Sequence, residues 1–388
     1  MTPTSTHATS IPRPAHRPHI TAAATDPFDR GVARGERLRD GIPAAAEVYD
    51  RLFALGGISS RQVRDAAERA LDAVGRFRPA AHAEIAGIAR GAGVEEWLVA
   101  ALNARTEILA GSDAVPPGEC TTIVRHVPGG EGARRTLGVQ TWDWHVELGA
   151  MWHTLESRGG GHDFVGLTEN GILAKMGVNS AGLALHFNIL GHVRDGAGGV
   201  PVHVLAAVVL GEAGSVAEAV DLVRGAPLAS SGSFALFDDR DAVLLDLSPV
   251  GVFEVRPEQG TLLRTNHFLT PVPAAGEKSR LYQPDSGERY DFVRARLTRG
   301  RPPTTVDELA GLLVTGPGEP PVTCVPDPDM PLGQRWASLA TVTLEPATRT
   351  AKILDGTPAD IGSRDWRVLV AGGSAGAQHP PGPGRPTG

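Results

Sequence analysis

The sequence predicts a layered α+β protein, with mostly antiparallel sheets and helices packed outside them. Three observations carry this. Apolar residues recur at three- and four-residue spacing between residues 42 and 110. The pattern then breaks at a loop with two prolines and two glycines, GSDAVPPGE. Beyond it, short strand-like runs come in consecutive blocks instead of alternating singly with helices, which favours antiparallel sheets over a β-α-β fold.

In chain order, AAAEVYDRLFAL, SSRQVRDAAERALDAVGRF with Ser60 as its cap, AAHAEIAGIARGAG and VEEWLVAALNARTEILAG read as helices. TTIVRHVP, TLGVQTWDWH, FVGLTEN and GLALHFNIL then read as strands, from their β-branched and aromatic content. Two helices follow, PVHVLAAVVLGE and SVAEAVDLVRG, the second opened by a capping box from Ser215 to Glu218. Strands return at SGSFALFD, AVLLDLS, VFEVRP and TLLRTNHF. ERYDFVRARLTRG and TVDELAGLLV are helical, the latter capped from Thr305 to Glu308, and SLATVTLEP and TAKILDG close the pattern as strands. Residues 1–19, rich in Pro, His and Thr, and 371–388, rich in Gly and Pro, read as disordered tails.

Composition narrows the function. With 388 residues, 41% hydrophobic and 21% charged, the chain is enzyme-sized and able to bury a large core. A net charge of -7 and scattered arginines give no general attraction to nucleic acid or anionic lipid. No apolar run is long enough to span a bilayer and the N-terminus lacks the apolar centre of a secretory signal, so a cytoplasmic location is expected. Two cysteines in so long a chain point to reduced thiols, and the histidines, His145, His153 and His186 among them, show no metal-ligand spacing. The glycines of RGGGHD precede a strand, not a helix, which gives no phosphate cradle.

Taken singly, the chemistry-bearing residues are ambiguous. A free cysteine such as Cys120 is most often packing, but it stands at the corner between the Pro/Gly loop and a strand opened by Thr121 and Thr122. Cys324, in VTCVPDPDMP, has no base nearby in sequence and reads as structural. Asp143 on its own reads first as an exposed or salt-bridged strand residue, and Asn266 as a turn residue.

Together, GECTT (118–122), GVQTWDWH (138–145), LTENGILAKMGVNSAGLALHFN (167–188) and RTNHF (264–268) resemble the acyl-coenzyme A:6-aminopenicillanic acid acyltransferase (isopenicillin N acyltransferase) family of N-terminal nucleophile hydrolases. The resemblance extends to RTEIL at 105–109 and QRWASLATVTLEP at 334–346, covering roughly residues 40 to 360 in order.

The resemblance implies a four-layer αββα sandwich and a precursor that cleaves itself between Glu119 and Cys120. Residues 20–119 would form a helical pro-segment, so that 1–119 becomes the α chain, and 120–370 the β-chain body. Glu119 departs from the glycine found before the cysteine of the penicillin enzyme. Cleavage supplies nucleophile and base at once: a thiol with pKa near 8.5 gains beside it an α-amine with pKa about 7.7–8.0. The resemblance further implies Asp143 as the carboxylate that orients the amine, Asn266 as the oxyanion donor, and Arg335 as a cation beside the thiol.

The activity so implied is hydrolysis or transfer of the acyl group of a small-molecule amide through a thioester on Cys120. The expected partners are a small-molecule amide or acyl thioester and the cleaved α chain. No cofactor is expected, though acyl-coenzyme A is a conceivable donor substrate. Two other readings stay open: a single-chain papain-like amidase with His267 as base and Asn266 orienting it, and a non-catalytic binding protein that keeps the fold.

Overall fold

The computed structural model describes residues 11–112, 120–129, 134–278 and 285–373. Six helices fill the first part of the chain: α1 (Pro27–Arg37), α2 (Gly41–Leu55), α3 (Ser60–Phe77), α4 (Pro79–Ala92), α5 (Glu96–Asn103) and α6 (Arg105–Leu109). The expected helices are present, with one change at α3. Its cap is Ser59, not Ser60, because Ser59 closes a reciprocal capping box with Gln62. The box at Thr305 and Glu308 forms as expected, while at Ser215 only the bond from the Glu218 N–H to the serine is made.

Helix α1 was not foreseen. It buries glycines instead of an apolar stripe: a Cβ on Gly31 would lie 2.2 Å from the Glu84 carbonyl oxygen, and one on Gly87 would lie 2.1 Å from that of Phe28. Bare backbone on both sides lets α1 and α4 touch directly. The salt bridges from Arg30 and Arg34 to Glu84 (2.8 Å each) then close the contact.

Two sheets form the centre. The larger contains β1 (His19–Ala23), β4 (Trp152–Arg158), β5 (Phe164–Glu169), β6 (Met176–Asn179), β7 (Ala184–Ile189), β8 (Gly232–Phe237), β9 (Ala242–Ser248) and β10 (Gly251–Val255), in that order. Among the described residues of this sheet, only the β1–β4 pair is parallel. The smaller sheet, wholly antiparallel, runs β11 (Thr261–Arg264), β2 (Cys120–Pro128), β3 (Arg134–His145), β12 (Trp336–Glu345), β13 (Thr350–Leu354), β14 (Trp366–Val370).

The sheets face each other, and helices cover their outer sides. Helices α7 (Val202–Glu212) and α8 (Val216–Arg224) pack on the larger sheet, while helices Ser286–Thr298 and Val306–Gly311 pack on the smaller. This is the expected αββα sandwich. The alternation of β2 divides two cores: Cys120 and Val124 belong to the core between the sheets, Ile123 and Val127 to the core under the outer helices.

The N-terminal tail is shorter than expected on its described side. Arg17 is buried, stacks 3.7 Å over the Trp152 ring, and pairs with Asp355 (2.9 Å), as does Arg13 (3.2 Å). A single carboxylate thus fixes the stretch leading into β1. At the other end Ala371 is buried, and residues 374–388 lie outside the described residues.

Candidate active site

Cys120 opens β2 at the corner where the sequence placed it. The run Thr121–Thr122–Ile123–Val124 extends from it along β3, with Cys120 directly opposite Trp142 and Thr122 opposite Gln140. Since side chains alternate, Cys120, Thr122, Gln140 and Trp142 share the inner face, and Thr122 Oγ1 indeed donates to Asn188 Oδ1 on the larger sheet (2.7 Å). Thr121, Thr141 and Asp143 share the outer face, where the Thr121 N–H donates to Thr141 Oγ1 (3.1 Å) and Thr141 Oγ1 donates to Asp143 Oδ2 (3.3 Å).

Asn266 lies two residues beyond the end of β11, in a turn tied down at two points. Arg264, buried in an ion pair with Asp246, donates to the His267 carbonyl (2.6 Å), and Ser286 Oγ accepts from the Asn266 N–H (2.8 Å). Its side chain reaches the start of β2. Asn266 Oδ1 accepts from the Cys120 N–H (2.9 Å), while Nδ2 donates to the Ile189 carbonyl (2.8 Å).

Three of the four expected catalytic residues therefore meet. Cys120, Asp143 and Asn266 are all buried. The Cys120 thiol points at the Asp143 carbonyl oxygen, 3.9 Å away. Burial first, and then the Asp143 carboxylate, push the thiol up to about 12, against the pull of Lys175 and Arg289. Glu119, the other half of the expected cleavage site, lies outside the described residues.

Arg335 is not beside the thiol. Half-buried one residue before β12, it is held by Glu147, with Nε 3.0 Å from Oε1. Its strand neighbour Trp336 lies opposite His145, three residues along β3 from the partner of Cys120. The cation bonded to the Cys120 backbone is Arg289, fully buried on helix Ser286–Thr298. Its Nη1 donates to the Cys120 carbonyl (3.3 Å) and Thr121 Oγ1 (3.2 Å), and its Nη2 to Asn266 Oδ1 (3.2 Å).

His267 does not stand as a base for Cys120. Its Nδ1 sits 2.8 Å from Ser286 Oγ and 3.2 Å from Thr265 Oγ1, and burial, followed by Arg264 and Arg289, lowers it to about 4. Asn266 contacts the Cys120 backbone instead of orienting this ring. Cys324, buried, has its backbone N–H on Ser338 Oγ (3.0 Å), in keeping with a packing role. Among the described residues no group of three or more His, Cys, Asp and Glu could hold a metal ion, and no helix is long and apolar enough to cross a membrane.

Comparison with known proteins bears on this constellation. The family model described as acyl-coenzyme A:6-aminopenicillanic acid acyl-transferase matches residues 130–360. The chain belongs to the acyl-coenzyme A:6-aminopenicillanic acid acyl-transferase family. A curated relative, the acyl-coenzyme A:6-aminopenicillanic-acid-acyltransferase 40 kDa form of Emericella nidulans, is 31% identical over 282 residues, covering 70% of this chain and 75% of that one. Among solved structures, penicillin V acylase from Agrobacterium tumefaciens aligns with TM-score 0.40 at 13% identity, over 60% of this chain and 82% of its own. A Caenorhabditis elegans N-acylethanolamine-hydrolyzing acid amidase ortholog aligns with TM-score 0.40 at 14% identity, over 58% and 93%. The segment matched by the acyl-transferase family model contains Asp143, Asn266 and Arg289 and begins after Cys120.

Proposed function

We propose that this chain is an amide-acting acylase or acyltransferase that cleaves itself before Cys120 and then uses that cysteine as an N-terminal nucleophile, acting in the cytoplasm on a small-molecule substrate. The observation that carries the reading is the Asn266 Oδ1 bond to the Cys120 N–H at the head of β2 (2.9 Å). It puts an amide side chain on the nitrogen that cleavage would turn into the α-amine.

Within this reading the chemistry follows in order. The thiol attacks the Glu119 carbonyl, the peptide nitrogen leaves as the α-amine of Cys120, and water hydrolyses the thioester to free both chains. In the mature enzyme the α-amine takes the thiol proton as the thiol attacks the substrate carbonyl. The leaving amine departs with that proton, and the acyl thioester passes to water or to an acceptor amine. Asp143 orients the amine and favours its protonated form, and the Asn266 amide, beside the reacting carbonyl, donates to the oxyanion. One oxyanion donor of this kind contributes about 2.7–4 kcal/mol. Arg289, bonded to both the Cys120 carbonyl and Asn266, holds the two in register.

The test is intact mass and N-terminal sequencing of the purified protein, followed by assay on a panel of N-acylated amines and acyl thioesters, acyl-coenzyme A included. Two chains, one beginning at Cys120, with acyl release lost in Cys120→Ala, is the expected result. A fully active single chain overturns it.

A further inference from the structure

A second polar cluster lies between the sheets, and the chemistry above does not use it. Glu169, at the end of β5, accepts from Arg105 Nη2 (2.5 Å) and Lys175 Nζ (3.0 Å), and Tyr49 Oη donates to its other oxygen. His203 Nε2, on α7, lies 3.3 Å from Arg105 Nη2 and 3.4 Å from Lys175 Nζ. All five side chains are buried. One carboxylate thus faces two cations in a low-dielectric core, which disfavours carrying both positive charges.

Lys175 connects this cluster to the nucleophile. Its Nζ lies 4.7 Å from the centroid of the Trp142 ring and 5.7 Å from that of Phe187. Trp142 is the residue directly opposite Cys120, and directly paired residues of antiparallel strands project side by side, with Cβ atoms about 4.5–5.5 Å apart. The thiol and the Lys175 amine therefore share the inner face. Arg289 is on the other side of the strand, on Thr121 Oγ1 and the Cys120 carbonyl.

Self-cleavage needs a proton acceptor that the mature enzyme does not. Before cleavage the Cys120 nitrogen is a peptide N–H donating to Asn266 and cannot take a proton. We propose that Lys175, as the neutral amine, accepts the Cys120 thiol proton in the uncleaved chain; this rests on the self-cleavage reading. The thiolate then forms a C–S bond to the Glu119 carbonyl carbon. As the C–N bond breaks, the Lys175 ammonium returns the proton to the departing nitrogen, leaving a thioester and a free α-amine. Water hydrolyses the thioester to the Glu119 carboxylate and the Cys120 thiol, so Lys175 ends as it began.

The groups facing Lys175 leave it as the acceptor. Burial works against ionising Glu169, but Arg105 and Lys175 outweigh it and hold the carboxyl at about 2. Burial, then Arg105 and Lys175, push His203 well below the usual histidine range, and Tyr49 is pushed well above its own by burial, so it keeps its proton. Arg105 stays charged. Burial lowers Lys175 itself to about 8, Glu169 opposing and Arg105 assisting. Burial disfavours both the thiolate and the ammonium, so the transfer is uphill and the ion pair is a minor species at any instant. A reaction that happens once per molecule tolerates this.

The test follows cleavage of freshly synthesised full-length chain, released at pH 6 and transferred to buffers from pH 6 to 9.5, by intact mass against time. For the wild-type chain the rate should rise about tenfold per pH unit and level off near pH 8. Lys175→Arg keeps the cation but holds its proton across this range, and should slow cleavage at pH 8 at least 100-fold while circular dichroism and Tm stay close to wild type. Lys175→Met should be blocked as well. Wild-type rate and profile in Lys175→Arg overturn the proposal and leave self-cleavage standing. A flat wild-type profile overturns it even if both variants misfold. A wild-type chain that never yields a chain starting at Cys120 overturns the self-cleavage reading, and this proposal with it.

Discussion

Asn266 Oδ1 accepts the Cys120 N–H at 2.9 Å, two residues outside the β2–β11 ladder, which begins with Thr122 opposite Arg264. A side-chain amide thus takes the place that a strand carbonyl would otherwise fill, and it remains an acceptor when the N–H becomes an amine. Asn266→Ala should lower kcat/KM about 10²–10³-fold, the range for loss of one oxyanion donor. Asn266→Asp places a carboxylate on the amine, which favours its protonated form and raises its pKa. The basic amine is then present only at higher pH, so the alkaline rise of kcat should move upward. Both follow from pH–rate profiles of the cleaved enzyme.

The two arginines make opposite predictions. Arg289 is fully buried and binds the Cys120 carbonyl, Thr121 and Asn266, so Arg289→Met leaves those acceptors unmatched and should cost about 3–5 kcal/mol of stability together with most activity. Arg335 is half-buried with Glu147 as its partner, so Arg335→Ala should shift stability by about 1 kcal/mol or less and leave kcat within a few-fold of wild type. Urea titration and steady-state kinetics of the two variants separate them.

The exchange of Arg335 for Arg289 marks where sequence reading stopped. Strand β2, the strand portion of TLLRT and the helices from residue 42 onward were legible because each carries its period openly. Arg289 sits in ERYDFVRARL, where charged residues alternate with apolar ones and an arginine reads as solvated; only the packing of that helix across β2 turns it inward. Lys175 was likewise hidden in LAKMG, since nothing local announces that Glu169 and Trp142 will meet it. Strands β1, β6 and β14 were missed, and so was β4, WHTLESR, five of whose seven side chains are polar. Helix α1 hid for a different reason: its buried face is Gly31 and Gly35, four residues apart, with no apolar stripe to detect.

That glycine face gives a sharp stability test. Placing a methyl on Gly87 puts it 2.1 Å from the Phe28 carbonyl oxygen, which is backbone and cannot rotate away. Helix propensity alone would favour alanine by about 1 kcal/mol. The forced separation of α1 from α4 outweighs this, with overpacking costs of about 1–3 kcal/mol or more. Gly87→Ala should therefore be destabilised by about 2 kcal/mol and melt several degrees lower by calorimetry, whereas Gly160→Ala, with nothing within 4 Å of its Cβ, should not move Tm comparably.

The protein should also be unusually sensitive to mild acid, through histidines instead of carboxylates. His145, His153 and His186 are fully buried, and burial is the first cause lowering each to about 3. In the unfolded chain they titrate near 6.5. With folded-state values below the unfolded one, the unfolded chain binds more protons between those limits, so stability is complete above about 6.5 and falls as pH drops. Each histidine contributes about 1.4 kcal/mol per pH unit, and these three with His203, also buried and well below its usual range, about 5–6 kcal/mol per unit. Glu169, held at about 2, adds its loss only below the ordinary carboxylate range, near 4. Against a folding free energy of about 5–15 kcal/mol, unfolding should set in between about pH 5.5 and 4. Urea midpoints measured at half-unit steps from pH 7.5 to 4.5 give the slope. Replacing His186, which stacks 5.7 Å from Phe237, by Phe should reduce it by about a quarter, while an unchanged slope would assign the acid sensitivity to the carboxylates.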